Sequence, residues 1–226
     1  MTHSTLVLFD LDYTLLGGDT QSTWGNYLAD LGVIDLTTYQ EKMREFDLAY
    51  QEGKLNVAAL LSFQMEILRP YSPQELDLWR HNFVRERIAP LLVEEMTQRL
   101  VEHQSQGDEV VLITATNKFL AAPIAQFLNI ENIIALQEEC DAKGKYTGRF
   151  LGTPPYREGK VIRLREWLAE QKSSLEDYHE IWFYSDSHND LPLFLEATHR
   201  VAVNPDKILR DYAVREKWPI IDPKQH

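Results

Sequence analysis

The sequence predicts an α/β fold, a parallel β-sheet core flanked by helices and interrupted early by an all-helical insertion. Three observations carry this reading. Short apolar runs ending in polar residues recur at "LVLF" (Leu6 to Phe9), "VVLI" (Val110 to Ile113) and "IWFY" (Ile181 to Tyr184). Stretches of helical period separate the later runs, the alternation that builds parallel sheets. Between about Leu16 and Pro90 the alternation stops and only helix-like patterns remain.

Leu6 to Phe9 has no polar alternation, which fits a strand buried on both faces. The insertion then supplies "TYQEKMREFDLAYQEGKL", "VAALLSFQMEILR" and "SPQELDLWRHNFVRERI" as helices. Ser72-Pro73-Gln74-Glu75 reads as a capping box with proline at the first helical position. After the return, "VVLI" ends at Thr114 and a helix is expected over Asn117 to Leu128. "IIAL" (Ile133 to Leu136) and "VAV" (Val201 to Val203) are weaker strands, and Glu158 to Gln171 is a further helix. "GKYTGRF" (Gly144 to Phe150) is read as a small hairpin. The expected organisation is a core of residues 1–15 and 91–226, with residues 16–90 as a cap over the strand ends. Ligands of such sheets sit beyond the carboxyl ends of the strands, an edge where Asp10, Thr114 and Asp186 would meet.

Composition narrows the function. The 226 residues are 44% hydrophobic, enough for a substantial core, and disorder is excluded on that ground. A net charge of −12 argues against nucleic acid and anionic membranes as partners. A small phosphorylated metabolite stays possible, because a few placed cations decide that locally. The single cysteine, Cys140, excludes an internal disulfide. The amino terminus, "MTHSTLVLFDLD", lacks a basic start, and its apolar run stops at Asp10. A cytoplasmic location is expected, for a monomer or homodimer.

Two aspartates one residue apart, Asp10 and Asp12, follow the first strand, although each raises the cost of ionising the other. An acidic turn, a calcium loop and a cation-dependent site compete. A calcium loop begun at Asp10 would need glycine at its sixth position and glutamate at its twelfth. Leu15 and Gln21 stand there, and strand rather than helix precedes the loop. That reading fails. Taken singly, Thr114 would be a helix cap, Lys160 a solvated lysine and "SDSHND" (Ser185 to Asp190) an acidic helix start. Together they describe a phosphate site: carboxylates for a divalent cation, a hydroxyl and an ammonium for phosphate oxygens, and a nucleophile.

With these residues in view, the chain resembles the haloacid-dehalogenase-type phosphatases. "DLDYT" has their DxDxT pattern. "LITATN", "GK" at Gly159-Lys160 and "SDSHND" resemble their second, third and fourth motifs, in order. The resemblance implies a Rossmann-like core with a C1-type helical cap, as in the phosphoserine-phosphatase-like branch. It implies Asp10 as nucleophile, forming an aspartyl-phosphate, and Asp12 as general acid and then base. Thr114 and Lys160 would hold phosphate oxygens. Mg²⁺ would be held by the Asp10 carboxylate, the Asp12 backbone carbonyl and Asp186, with Asp190 in support. Substrate contacts would come from Asp19, Thr14, Ala115, Thr116 and Asn189.

The resemblance also bears on substrate. Asp19, in "LLGGDT", falls where phosphoserine phosphatases carry an acidic residue that meets the substrate amine. Counting on from "EGKL", the position of their carboxylate-binding arginine falls at Ser62. An amino-bearing ester without a carboxylate fits better, and histidinol phosphate is such a compound. Phosphoserine is the alternative. A receiver-type phosphoacceptor domain is disfavoured by the insertion after the first strand and by a nucleophile and second acid arriving together. A phosphotransferase of the same fold stays open. Trp24, Tyr27, Trp79 and Trp167 are expected in the core. Glu138-Glu139 is expected to be a solvated face, and His188 a neighbour of the metal site rather than a ligand.

Overall fold

The computed structural model describes residues 5–223. The first four residues of the amino-terminal segment read above lie outside that range. Seven strands form one sheet in the order β4-β3-β2-β1-β5-β6-β7. They are β1 (Thr5–Phe9), β2 (Glu109–Asn117), β3 (Asn132–Cys140), β4 (Tyr146–Leu151), β5 (Glu180–Ser185), β6 (His199–Val203) and β7 (Ile220–Ile221). Every pairing is parallel except β3 with β4. The strands β2 and β5 flank β1, so the direction of strand order reverses there. That reversal opens a crevice at the carboxyl edge.

Successive side chains of β1 take opposite faces. Val7 and Phe9 enter one apolar cluster, and Leu6 and Leu8 enter the other. Full burial on both sides explains the unbroken apolar run.

The insertion contains α1 (Thr20–Asp30), α2 (Leu36–Gln51), α3 (Val57–Leu68) and α4 (Pro73–Phe83), the last extended through a wider turn at Val84–Ile88. The Ser72–Glu75 capping box is formed. An antiparallel bridge between Leu16 and Leu92 joins the chain where it leaves and where it returns. Trp24 and Tyr27 of α1 are buried against Phe83, where Trp24 meets both Phe83 and Phe119 edge-on and Tyr27 lies tilted to Phe83. The core cluster thus runs on into α1, α3 and α4, the last two through Leu61, Met65, Leu68, Leu76 and Phe83, while α2 and a second face of α3 supply walls of the cavity described below. Trp79 and Trp167 are half-buried against the core.

The remaining helices are α5 (Glu94–Gln106), α6 (Lys118–Phe127), α7 (Glu158–Glu170), α8 (Leu191–Glu196) and α9 (Lys207–Glu216). Two expectations change, for the hairpin and for Glu138. The hairpin is larger than predicted: Gly144–Phe150 supplies only its turn and second arm, and β3 is the first. The reading of Thr114 as a lone helix cap is excluded as well, because Asn117 caps α6, accepting the Leu120 N–H at 3.1 Å. Glu138 is not simply solvated, since its carboxylate accepts the Phe119 N–H at 2.8 Å. No helix of the described residues is long and apolar enough to cross a membrane.

Candidate active site

Strand register assembles the site. Phe9 pairs with Leu112 on one side and Tyr184 on the other. Asp10 therefore stands between Ile113 and Ser185, with Thr114 and Asp186 one step further along the same edge. The Asp10 N–H still follows the ladder, donating to the Tyr184 carbonyl at 3.0 Å. Lys160 enters from the first turn of α7. Its Nζ lies 2.9 Å from Asp10 Oδ1 and 2.6 Å from Asp190 Oδ2, and the residue is only 3% exposed. Ser185 Oγ donates to the same Asp190 oxygen at 2.6 Å. Glycine at 159 is a steric need, because a Cβ there would come within 2.0 Å of the Pro154 carbonyl oxygen. Only glycine lets the first turn of α7 press against that backbone.

Asp12 lies in the tight turn after β1, where Tyr13 takes a left-handed φ of 55°. Its Oδ1 accepts from both the backbone N–H and the hydroxyl of Thr20, and its Oδ2 accepts from Thr116 Oγ1 at 2.7 Å. Asp19 caps α1, accepting the Ser22 N–H at 2.6 Å.

These neighbourhoods separate the acids. Burial raises the Asp10 carboxyl to about 6; Lys160 opposes the rise and Asp190 adds to it. Burial, then the charge of Asp19, pushes Asp12 up to about 7 against the donors Thr20 and Thr116. Asp186 is held well above the usual carboxylate range by burial and by Asp10 and Asp190. Burial works against the Lys160 ammonium, but Asp10 and Asp190 outweigh it and keep the group charged.

A cavity of about 320 Å³ lies over this edge. Asp10, Asp12, Asp19, Thr114, Ala115, Thr116, Lys160, Asp186 and Asn189 line it. Thr14 and Asp190 do not. Thr14 is fully buried and does not reach the cavity, and its Oγ1 has no partner among the described residues. Asp190 faces Lys160 and Ser185. Thr116 and Asn189 are reached by the cavity, but their polar groups are engaged: Thr116 with Asp12, and Asn189 Nδ2 with the Tyr50 carbonyl at 3.2 Å. The end of α2 is further tied to the core by Tyr50 Oη to Ser187 Oγ at 3.3 Å and Arg157 Nη1 to the Gly53 carbonyl at 3.0 Å. His188 lines the cavity with its Nδ1 2.8 Å from Asp206 Oδ2. Ser62 is not among the lining residues; it packs beside Gly148 of β4.

Thr20, Asp47, Tyr50, Gln64 and Tyr156 were not singled out by sequence reasoning. For Asp47 and Gln64 a signal existed. Asp47 sits in a stripe with Met43, Phe46 and Tyr50, and Gln64 in one with Val57 and Leu60, so each interrupts an otherwise apolar helix face.

The residues fit a hard divalent cation. Lys160 pairs with Asp10 and Asp190, whereas Asp186 has no ion-pair partner among the described residues. Negative charge in excess of the one buried ammonium is the donor chemistry Mg²⁺ uses, with several waters retained. Among the described residues no three His, Cys, Asp or Glu side chains gather into a metal site by themselves.

Residues 7–195 match the haloacid dehalogenase-like hydrolase family. The chain belongs to this family and is an enzyme of its phosphatase branch. It is 39% identical to a histidinol-phosphatase of Neisseria meningitidis, over 97% of this chain and 99% of that one. It is 30% identical to phosphoserine phosphatase SerB1 of Mycobacterium tuberculosis, over 95% of this chain and 69% of the relative. Among solved structures, a Bordetella pertussis protein of unknown function superposes with a TM-score of 0.90 at 39% identity, over 98% and 99% of the two chains. A phospho-aspartyl intermediate analogue of phosphoserine phosphatase shares the fold, with a TM-score of 0.66 at 21% identity, over 99% and 95%.

Proposed function

We propose that this phosphatase is Mg²⁺-dependent and hydrolyses a small amino-bearing phosphate monoester, with histidinol phosphate the preferred substrate. One observation carries the substrate choice. Lys160 is the only Lys or Arg among the described cavity-lining residues, and it already faces Asp10 and Asp190. An α-carboxylate would find no guanidinium, while an amine would find Asp19. The name of the Neisseria relative agrees with this choice.

In this reading Asp10 attacks phosphorus. Its carboxyl, at about 6, is ionised at neutral pH. The P–O bond to the ester oxygen breaks as Asp12 gives that oxygen its proton. Asp12, near 7, holds a proton in a large fraction of molecules at neutrality. Asp12, then ionised, takes a proton from the water that attacks the aspartyl-phosphate, releasing inorganic phosphate and restoring Asp10. Thr114 and Lys160 hold the phosphate oxygens as charge moves onto them. Asp10, Asp186 and the Asp12 carbonyl would hold Mg²⁺, with Asp190 fixing Lys160. The bound cation would offset the repulsion between an anionic nucleophile and an anionic phosphate. Residues 16–90 act as the cap and residues 1–15 with 91–226 as the core, a division supported by the Leu16–Leu92 bridge. The enzyme would work on a cytoplasmic metabolite.

The test is kcat/KM across a Mg²⁺-supplemented panel of histidinol phosphate, phosphoserine and glycerol phosphate. Histidinol phosphate should lead phosphoserine by at least tenfold, about 1.4 kcal/mol. Phosphoserine in the lead would overturn the assignment.

A further inference from the structure

Two cap helices face the cavity with largely apolar stripes, each interrupted by a polar residue, and Gln51 closes the α2 stripe at its end. On α2 the stripe is Met43, Phe46, Asp47 and Tyr50; on α3 it is Val57, Leu60 and Gln64. Gln64 is only 6% exposed. Its Oε1 accepts Asn117 Nδ2 at 3.0 Å, which fixes the amide and leaves Nε2 without a partner among the described residues. Gln21 of α1, 8% exposed, likewise lines the cavity, and its Oε1 has no partner among the described residues. Buried amide groups left unpaired are destabilising, so a protein retains them where a ligand completes them. Asp47 opens onto the solvent of the cavity. Loss of solvation and the nearby charge of Asp19 raise its carboxyl to about 6. No lysine or arginine of the described lining residues balances this pair.

We propose that Asp47 is a specificity-determining residue: with Asp19 and the Gln21 carbonyl it forms a cap subsite for a protonated amine, while Gln64 Nε2 donates to an uncharged acceptor on the same substrate. The inference rests on the amino-ester reading above and names the residues that enforce it. An ammonium carries three N–H donors and no acceptor, which matches the two carboxylates and one amide oxygen. An unprotonated imidazole nitrogen supplies the acceptor that Gln64 lacks. The paired acids also repel any ester with a carboxylate at that end, so the subsite excludes as well as attracts.

The experiment compares histidinol phosphate with p-nitrophenyl phosphate, which has no amine, in wild type, Asp47→Asn, Asp47→Glu and Gln64→Leu, all with Mg²⁺. The quantity read is the ratio of the two kcat/KM values, so a general loss of activity cancels. Asp47→Asn and Gln64→Leu should each lower the ratio by about tenfold or more, chiefly through KM for histidinol phosphate. Asp47→Glu should retain most of it. Asp47→Ala gives the same reading should the asparagine variant not fold. Ratios within about twofold of wild type in Asp47→Asn and Gln64→Leu, or a glutamate variant as impaired as the asparagine one, would overturn the subsite while leaving the substrate reading in place. A wild-type enzyme without preference for the amine over amine-free alkyl esters would overturn both.

Discussion

The hydroxyl of Thr116 donates to Asp12 Oδ2 at 2.7 Å, joining the end of β2 to the turn after β1. Two residues 104 positions apart therefore aim one carboxyl group. The bond favours ionised Asp12, so its loss should raise a pKa already near 7. Thr116→Val should lower kcat by roughly tenfold. Because Asp12 must be protonated to release the ester oxygen, the alkaline limb of the kcat profile should move to higher pH. An unshifted limb would remove Thr116 from the control of Asp12.

Lys160 holds Asp10 and Asp190 together at 2.9 and 2.6 Å. Removing one partner of a buried ionic set costs roughly 3–5 kcal/mol. Lys160→Met should show that loss in chemical denaturation of the metal-free protein at pH 8. At pH 5 the carboxyls can take protons instead, so the loss should be smaller.

Metal-free stability should fall as pH rises from about 4 to about 7. In the folded chain Asp10 and Asp12 hold their protons to about 6 and 7, whereas in the unfolded chain they release them near 4. The folded state thus binds more protons across that window, and the slope is negative. The raised pKa of Lys160 contributes stability that is lost only at far higher pH. Thermal midpoints without metal should show this slope, and Asp12→Asn should flatten it. Mg²⁺ should raise the midpoint more at pH 8 than at pH 5. EDTA should silence the enzyme and Mg²⁺ restore it.

Much of this site was legible in the sequence because it sits at strand ends. An apolar run that stops on a polar residue marks both the strand and its carboxyl edge, which brings Asp10, Thr114 and Asp186 to one edge. Lys160 was legible only in company, since nothing local distinguishes a buried lysine from a solvated one. The cap was harder. Its helices and the Ser72 capping box are local features, but which face meets the cavity depends on how α2 and α3 pack. Asp47 and Gln64 interrupt apolar stripes, but that local signal does not say that the stripes face a cavity. Thr14 erred the other way: it belongs to the first motif, yet the turn buries it. The first arm of the hairpin was missed because β3 continues past its apolar segment into "QEEC", which carries no strand signal of its own.

Asp10→Asn should reduce turnover by on the order of 10⁴ or more, the scale of losing a nucleophile. Lys160 would keep Asp190 as an ionic partner, so the thermal transition should stay close to that of wild type.

The most direct test is a rapid acid quench of enzyme, Mg²⁺ and histidinol phosphate, followed by peptide mass analysis. One phosphoryl group on the peptide from β1, localised to Asp10 and absent from Asp10→Asn, is the expected result. Steady turnover with no phosphoryl group on Asp10 at any quench time, or with the group on another residue, would contradict the account.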